Sequence, residues 1–315
     1  MAQRLTINYA KKPCYDIVFT QDFQGLGEEL ETLQIKERRI CIITDSNVEK
    51  LYAQEVLNQL NNRCKKTSIF SFPAGEANKT LDTVKAAYTF LIQEGYDRKD
   101  LLIALGGGVV GDLTGFVAAT YLRGIDFVQI PTTLLAQADS SIGGKTGVDF
   151  DGFKNMVGAF YMPKLVYMNV SVLKTLEERQ YFSGFAEIMK HGLIRDQIFY
   201  IWLIENMYEI CDREPAVLEE MVVRSSNIKK MVVEKDPTEK GERALLNFGH
   251  TIGHALEKAK NFELYHGECV ALGCVAAAFI SWKHELLTMD EYYEIRDMFV
   301  PFNLPISIDS IDTEE

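Results

Sequence analysis

Leu101-Leu102-Ile103-Ala104-Leu105-Gly106-Gly107-Gly108-Val109-Val110-Gly111-Asp112 is an unbroken apolar run that empties into a glycine-rich turn. A run with no polar alternation is the habit of a strand covered on both faces, as in parallel sheets. The segments before it repeat the pattern. Arg39-Ile40-Cys41-Ile42-Ile43-Thr44 ends at Asp45-Ser46-Asn47 and leads into a helical stretch through Leu60. Thr67-Ser68-Ile69-Phe70-Ser71-Phe72 closes at Pro73-Ala74-Gly75-Glu76, and helical periodicity then runs from Thr80 to Glu94 with Gly95 as its stop. Repeated strand-helix units predict a mostly parallel sheet covered by helices. Beyond about residue 175 strand runs nearly vanish, and 183–196, 217–234, 245–258 and 268–285 read as helices. We therefore expect an α/β domain over 1–172 and an all-α domain over 173–315, with the active site in the cleft between them.

The bulk properties narrow the partners. The chain has 315 residues, 47% hydrophobic and 25% charged, the balance of a folded globular protein with room for two domains. A formal charge of -12 argues against a general nucleic-acid or anionic-membrane surface and leaves small molecules as the expected partners. Six cysteines scattered without CxxC spacing predict reduced thiols and a cytoplasmic protein. Met1-Ala2-Gln3-Arg4-Leu5-Thr6-Ile7-Asn8 has no apolar signal core, and glycine or charge interrupts the longer apolar runs.

Several motifs carry chemistry. Gly106 to Gly111 fits GxGxxG after a strand and before a helix, which suits a nucleotide pyrophosphate; a merely tight turn fits equally. Gly143-Gly144-Lys145-Thr146 has the look of a P-loop's end, but the first glycine of that motif would stand where Asp139 is, so an NTPase is excluded. His250 and His254 share one face if their segment is helical, and His266 follows a turn near 260–262. A divalent-metal site would need a carboxylate from elsewhere. Glu187, flanked by small and apolar residues, is the candidate, with a buried Glu187–Lys190 ion pair as the competing reading. Gly249 and Gly253 each cost a helix about 1 kcal/mol relative to alanine and suggest close backbone approach to something. Arg123, Lys145, Lys154, Lys190, Lys229 and Arg243 lie near the glycine turns or the histidines in an acidic chain, and could together form a pocket for a substrate with several negative groups. His191 and His284 read as structural.

Gly106-Gly107-Gly108-Val109-Val110-Gly111-Asp112-Leu113, Pro131-Thr132-Thr133-Leu134-Leu135-Ala136-Gln137, Gly143-Gly144-Lys145-Thr146-Gly147, Lys154-Asn155 and Leu246-Asn247-Phe248-Gly249-His250-Thr251-Ile252-Gly253-His254-Ala255 together resemble the 3-dehydroquinate synthase family of sugar-phosphate cyclases. The matches run in order from about Asp45 to His266. The resemblance implies a Rossmann-like sheet and an NAD- and metal-dependent lyase of the shikimate pathway, acting on the small anionic sugar phosphate 3-deoxy-D-arabino-heptulosonate 7-phosphate, in a homodimer. It implies metal ligation by Glu187, His250 and His266, usually of Zn2+, with Co2+ as the alternative. NAD contacts are implied for Asp45, Asn47, Glu76, Lys79, Gly107, Gly108, Asp112, Thr132, Thr133, Lys154 and Thr175. Substrate contacts are implied for Arg123, Asp139, Lys145, Asn155, Lys190, Lys229, Arg243, Asn247 and His254. Catalytic roles fall on His254 and Glu239, as acid and base, and on Lys145 and Lys190.

The alternatives are another sugar-phosphate cyclase, a metal-dependent polyol dehydrogenase, or a ligand-binding remnant without turnover. Three departures bear on the choice. Asp236-Pro237 and Thr175-Leu176-Glu177 stand where the family commonly has Asp-Glu and Thr-Leu-Pro. The family also continues past the position of Glu315 through a segment whose lysine contacts substrate, so the resemblance implies a truncated chain or a compromised activity.

Overall fold

In the computed structural model, which describes residues 2–237, 241–260 and 263–309, the run at 101–106 is a strand with every residue buried. The chain falls into two compact units, Met1–Val172 and Leu173–Glu315. The first holds strands β1 (Gln3–Tyr9), β2 (Lys12–Thr20), β3 (Arg39–Asp45), β4 (Lys66–Phe72), β5 (Leu101–Gly106), β6 (Asp126–Pro131), β7 (Lys145–Phe150), β8 (Phe153–Phe160) and β9 (Leu165–Asn169). Its helices are α1 (Leu26–Glu31), α2 (Gln54–Leu60), α3 (Leu81–Gln93) and α4 (Gly108–Thr120). Seven strands form one sheet in the order β1-β2-β9-β6-β5-β3-β4, parallel throughout except for the β1–β2 pair. β7 and β8 make a separate antiparallel hairpin.

The continuous apolar run is what two-sided covering requires. Leu101, Ile103 and Leu105 pack with Ile40, Ile42, Leu26, Val56 and Leu60 on one face. Leu102 and Ala104 join Cys41, Ile43, Val84, Leu91, Leu113 and Val117 on the other. Successive side chains of one strand thus feed two cores. α4 lies unusually close to its neighbours. A Cβ on Gly111 would come 2.8 Å from Gln129 Oε1, and one on Gly115 would come 2.3 Å from Thr146 Cγ2.

The second unit is helical: α5 (Glu178–Arg195), α6 (Gln197–Glu205), α7 (Met207–Cys211), α8 (Pro215–Lys235), α9 (His250–Ala259), α10 (His266–Lys283) and α11 (Met289–Asp297). The single helix expected over 245–258 is two pieces. A 3-10 turn covers Glu242–Asn247, Gly249 sits at φ 79, and the α-helix begins at His250. A left-handed residue cannot continue a helix, and glycine adopts that conformation without steric penalty. The close approach that Gly249 and Gly253 foretold is to α10: added Cβ atoms would meet Cys274 Sγ at 2.7 Å and Cys269 O at 2.8 Å. Among the described residues, no helix is long and apolar enough to cross a membrane.

Candidate active site

In the first unit, the expected nucleotide contacts gather by topology. Asp45 ends β3, Glu76 and Lys79 follow β4, Gly107, Gly108 and Asp112 follow β5, and Thr132 and Thr133 follow β6. These four strands are parallel neighbours, so the residues collect beyond their C-terminal ends, where open α/β sheets bind ligands. Asp45 Oδ1 accepts from the backbone N–H groups of Asn47 (2.9 Å) and Val48 (3.0 Å), folding the chain away from the strand. α4 starts at Gly108, and the first-turn N–H groups of a helix favour an anion. The buried Lys79 donates to Asp112 Oδ2 at 2.7 Å and to Asn155 Oδ1 at 2.6 Å. Burial pushes the Lys79 amine down, yet Asp112 and Glu76 outweigh it and hold the pKa above its ordinary value. Burial raises the Asp112 carboxyl, and Lys79 only partly offsets it.

The remaining residues named in this unit differ in exposure and in their neighbours. Asp139 is half-buried in a π-type turn, Lys145 is exposed at the start of β7, and Lys154 is exposed on β8. Asn155, expected on substrate, accepts from Lys79 Nζ at 2.6 Å, and its N–H donates to Asp149 Oδ1 at 2.8 Å. Arg123 is exposed at φ 68 just past the far end of the 13-residue α4. At 1.5 Å per residue that helix separates it from Gly108 by about 20 Å.

In the second unit one buried carboxylate organises the site. Glu187, midway along α5, receives the Lys190 ammonium on Oε2, and Lys190 also donates to the Leu246 carbonyl at 2.6 Å. The other oxygen, Oε1, is buried without a hydrogen-bond partner. His266 Nε2 stands 3.3 Å from it and His250 Nε2 stands 3.5 Å from it. Donor atoms in a tetrahedral site with bonds of about 2.0–2.1 Å stand about 3.4 Å apart, so these three fit one zinc-sized ion. The ion pair and the metal-type cluster proposed as competitors both exist, one on each carboxylate oxygen.

The electrostatics suit ligation. Burial favours a neutral Glu187, but Lys190 and the two imidazoles hold its pKa well below the ordinary 4.5. Burial lowers the His250 pKa, with Glu187 opposing, and a neutral imidazole is the ligating form. Burial pushes the nearby Cys274 thiol up to about 12.

His254 is exposed on α9, its ring 5.2 Å from that of His250 and 6.0 Å from that of His266. With Glu257 and His266 it forms a second possible donor set. Glu187 is the better centre because its orphaned oxygen needs a partner. Lys229 on α8 and Arg243 are buried; Asn247 and Thr175 are exposed. Arg243 Nη1 donates to the Pro237 carbonyl at 2.8 Å and Arg243 N–H to Asp236 Oδ2 at 3.1 Å, contacts that use the shared Asp236 and a backbone carbonyl that any residue at 237 would offer. Glu239 lies outside the described residues. His191 is buried with Nδ1 2.8 Å from Ser225 Oγ. Sequence reasoning passed over Arg179, Ser183 and Glu268, which hold the first turn of α10. The signal was a glutamate, Glu268, three residues past the helix's N-cap, where it accepts from the Tyr265 N–H as one half of a capping box.

A parallel α/β unit followed by a helical unit is the fold this chain shares with solved sugar-phosphate cyclases. One solved relative, 2-deoxy-scyllo-inosose synthase complexed with carbaglucose-6-phosphate, NAD+ and Co2+, superposes with a TM-score of 0.87 at 27% identity, covering 98% of this chain and 84% of that one. Another, 2-epi-5-epi-valiolone synthase from Streptomyces hygroscopicus subsp. jinggangensis 5008 with NAD+ and Zn2+ bound, gives 0.86 at 27% identity over 97% and 85%. Residues 69–183 match the family model of the 3-dehydroquinate synthase N-terminal region, and 184–315 match that of the C-terminal region. The 3-dehydroquinate synthase of Acetivibrio thermocellus is 46% identical over 312 residues, 99% of this chain and 86% of that protein. The chain belongs to the 3-dehydroquinate synthase family.

Proposed function

We propose that the chain converts 3-deoxy-D-arabino-heptulosonate 7-phosphate into 3-dehydroquinate and phosphate, as a carbon-oxygen lyase dependent on NAD and a divalent metal. The route is transient oxidation, phosphate elimination, re-reduction, ring opening and intramolecular aldol closure. The observation that carries this reading is the buried, unpartnered Glu187 Oε1 faced by two imidazole nitrogens at 3.3 and 3.5 Å. It is joined by 46% identity to a protein named for this reaction.

When bound, NAD supplies a reversible hydride acceptor and the metal a Lewis acid that eases deprotonation of the ring hydroxyl. Glu187, His250 and His266 would hold the metal, with zinc the first choice and cobalt the alternative. Asp45, Asn47, Glu76, Lys79, Gly107, Gly108, Asp112, Thr132, Thr133, Lys154 and Thr175 would hold NAD. Arg123, Asp139, Lys145, Asn155, Lys190, Lys229, Arg243 and Asn247 would bind the anionic substrate, the cations taking its phosphate and carboxylate. His254, exposed beside the metal cluster, would move protons together with Glu239. A homodimer completes the reading. A cytoplasmic setting is supported by six free cysteines.

The purified chain should release phosphate from the heptulosonate phosphate only with NAD present, stop when a chelator is added, and accumulate no NADH. Steady NADH formation would instead establish a polyol dehydrogenase. Turnover restricted to a sugar phosphate lacking a carboxylate would establish another cyclase.

A further inference from the structure

His266 is the first residue of α10, where helices fray unless capped. Its turn is seated on α5. Gly267 N–H donates to Ser183 Oγ at 3.0 Å, and a Cβ on Gly267 would lie 1.8 Å from the Ser183 carbonyl oxygen. The two backbones therefore touch one helical turn before Glu187. Glu268 accepts from Tyr265 N–H at 2.8 Å. The same carboxylate receives Arg179 of α5 as a fork, Nε to Oε1 at 2.7 Å and Nη2 to Oε2 at 2.8 Å. Arg179 Nη2 also donates to the Glu263 carbonyl at 3.0 Å, and its guanidinium covers the Tyr265 ring at 4.2 Å. Fork, stack and carbonyl contact fix one arginine in one geometry, which an ammonium could not reproduce.

A pair with so exposed an arginine adds little to folding stability. Its reach into the first turn of α10 gives it a different use. We propose that Arg179 and Glu268 are positioning residues for the metal centre: their fork locks that turn so that His266 Nε2 stays 3.3 Å from Glu187 Oε1. This rests on the reading of Glu187, His250 and His266 as metal ligands.

The test is zinc affinity, measured by competition with a chromophoric chelator without NAD or substrate. It compares wild type, Arg179→Lys, Arg179→Ala, Glu268→Gln and the Arg179→Ala/Glu268→Gln double variant, with thermal unfolding of each metal-free form. Arg179→Ala and Glu268→Gln should each weaken zinc about tenfold, the usual effect of losing a group that orients a ligand. Arg179→Lys should lose nearly as much. The double variant should be no weaker than the weaker single, because the two act as one clamp. Metal-free melting midpoints should not move. Glu268→Gln keeps an acceptor for Tyr265 N–H and carries the test should Arg179→Ala fail to fold. Wild-type zinc affinity in the single variants overturns the proposal, as do losses that add in the double or midpoints that fall in step with affinity. If wild type takes up no zinc, or His250→Ala takes up as much as wild type, the ligand reading itself has failed and the clamp falls with it.

Discussion

His250 and His254 are four residues apart on one helix, and sequence spacing alone treats them alike. The structure separates them. His250 directs Nε2 to within 3.5 Å of a buried carboxylate oxygen, whereas His254 is exposed. His250→Ala should therefore lose bound metal. His254→Ala should retain wild-type metal while turnover falls about a hundredfold or more, the range for a lost acid-base group. Metal analysis of both variants decides, and equal metal loss would mean the assignment is wrong. The same cluster sets a pH dependence. Burial holds the folded His250 pKa below 6.5. The unfolded chain therefore takes up this proton first as pH falls below 6.5, and stability is lost from there downward. Glu187, held well below 4.5 by Lys190 and the imidazoles against the pull of burial, extends the loss at lower pH. Melting of the metal-free chain should fall on acidification through this range; a midpoint that rises would contradict the charge states assigned here.

At the scale of elements, glycines decide how closely helices approach. A Cβ on Gly253 would come 2.8 Å from the Cys269 backbone oxygen, which has no rotamer by which to yield. Alanine regains about 1 kcal/mol of helix propensity, but overpacking typically costs about 1–3 kcal/mol. Gly253→Ala should therefore destabilise the chain on balance and, by displacing α9 from α10, weaken metal binding at His250 and His266. Denaturant midpoints and zinc affinity check both effects, and a stabilised variant would show that the helices can separate freely. Two hairpins show why some elements were legible and others not. The β7–β8 turn is Asp151-Gly152, at φ 50 and 79, a pair whose chemistry announces such a turn. The signal was present and unread. The β1–β2 turn is Ala10-Lys11, at φ 51 and 63. Nothing in those side chains favours that conformation, so the surrounding sheet must impose it. Gly249 falls between these cases, because within a helical pattern a glycine reads as a penalty and does not reveal its φ.

Across the whole molecule, the expected nucleotide contacts other than Thr175 lie in Met1–Val172, and Glu187, His250 and His266 lie in Leu173–Glu315. This division was readable because a parallel sheet demands continuous apolar strands such as Leu101 to Leu105, while helices demand a longer period. The roles of Lys190 and Asn155 were less readable. A cation or amide near a ligand-rich sequence does not reveal its neighbours; the fold bears out the Glu187–Lys190 pair and adds the unforeseen contact of Asn155 with Lys79. The division yields a prediction about separability. Lys79 holds Asp112 at the strand ends through contacts that involve no metal donor. NAD affinity, measured by calorimetry, should then change by less than the roughly fivefold of a typical coupling between sites when metal is stripped by a chelator. Lys79→Met should show the converse, with NAD binding weakened about tenfold or more through the loss of a buried charged hydrogen bond and zinc stoichiometry unaltered. Loss of NAD binding on metal removal alone would show that the two sites form one cooperative unit, and the assignment of separate duties to the two halves of the chain would have to be abandoned.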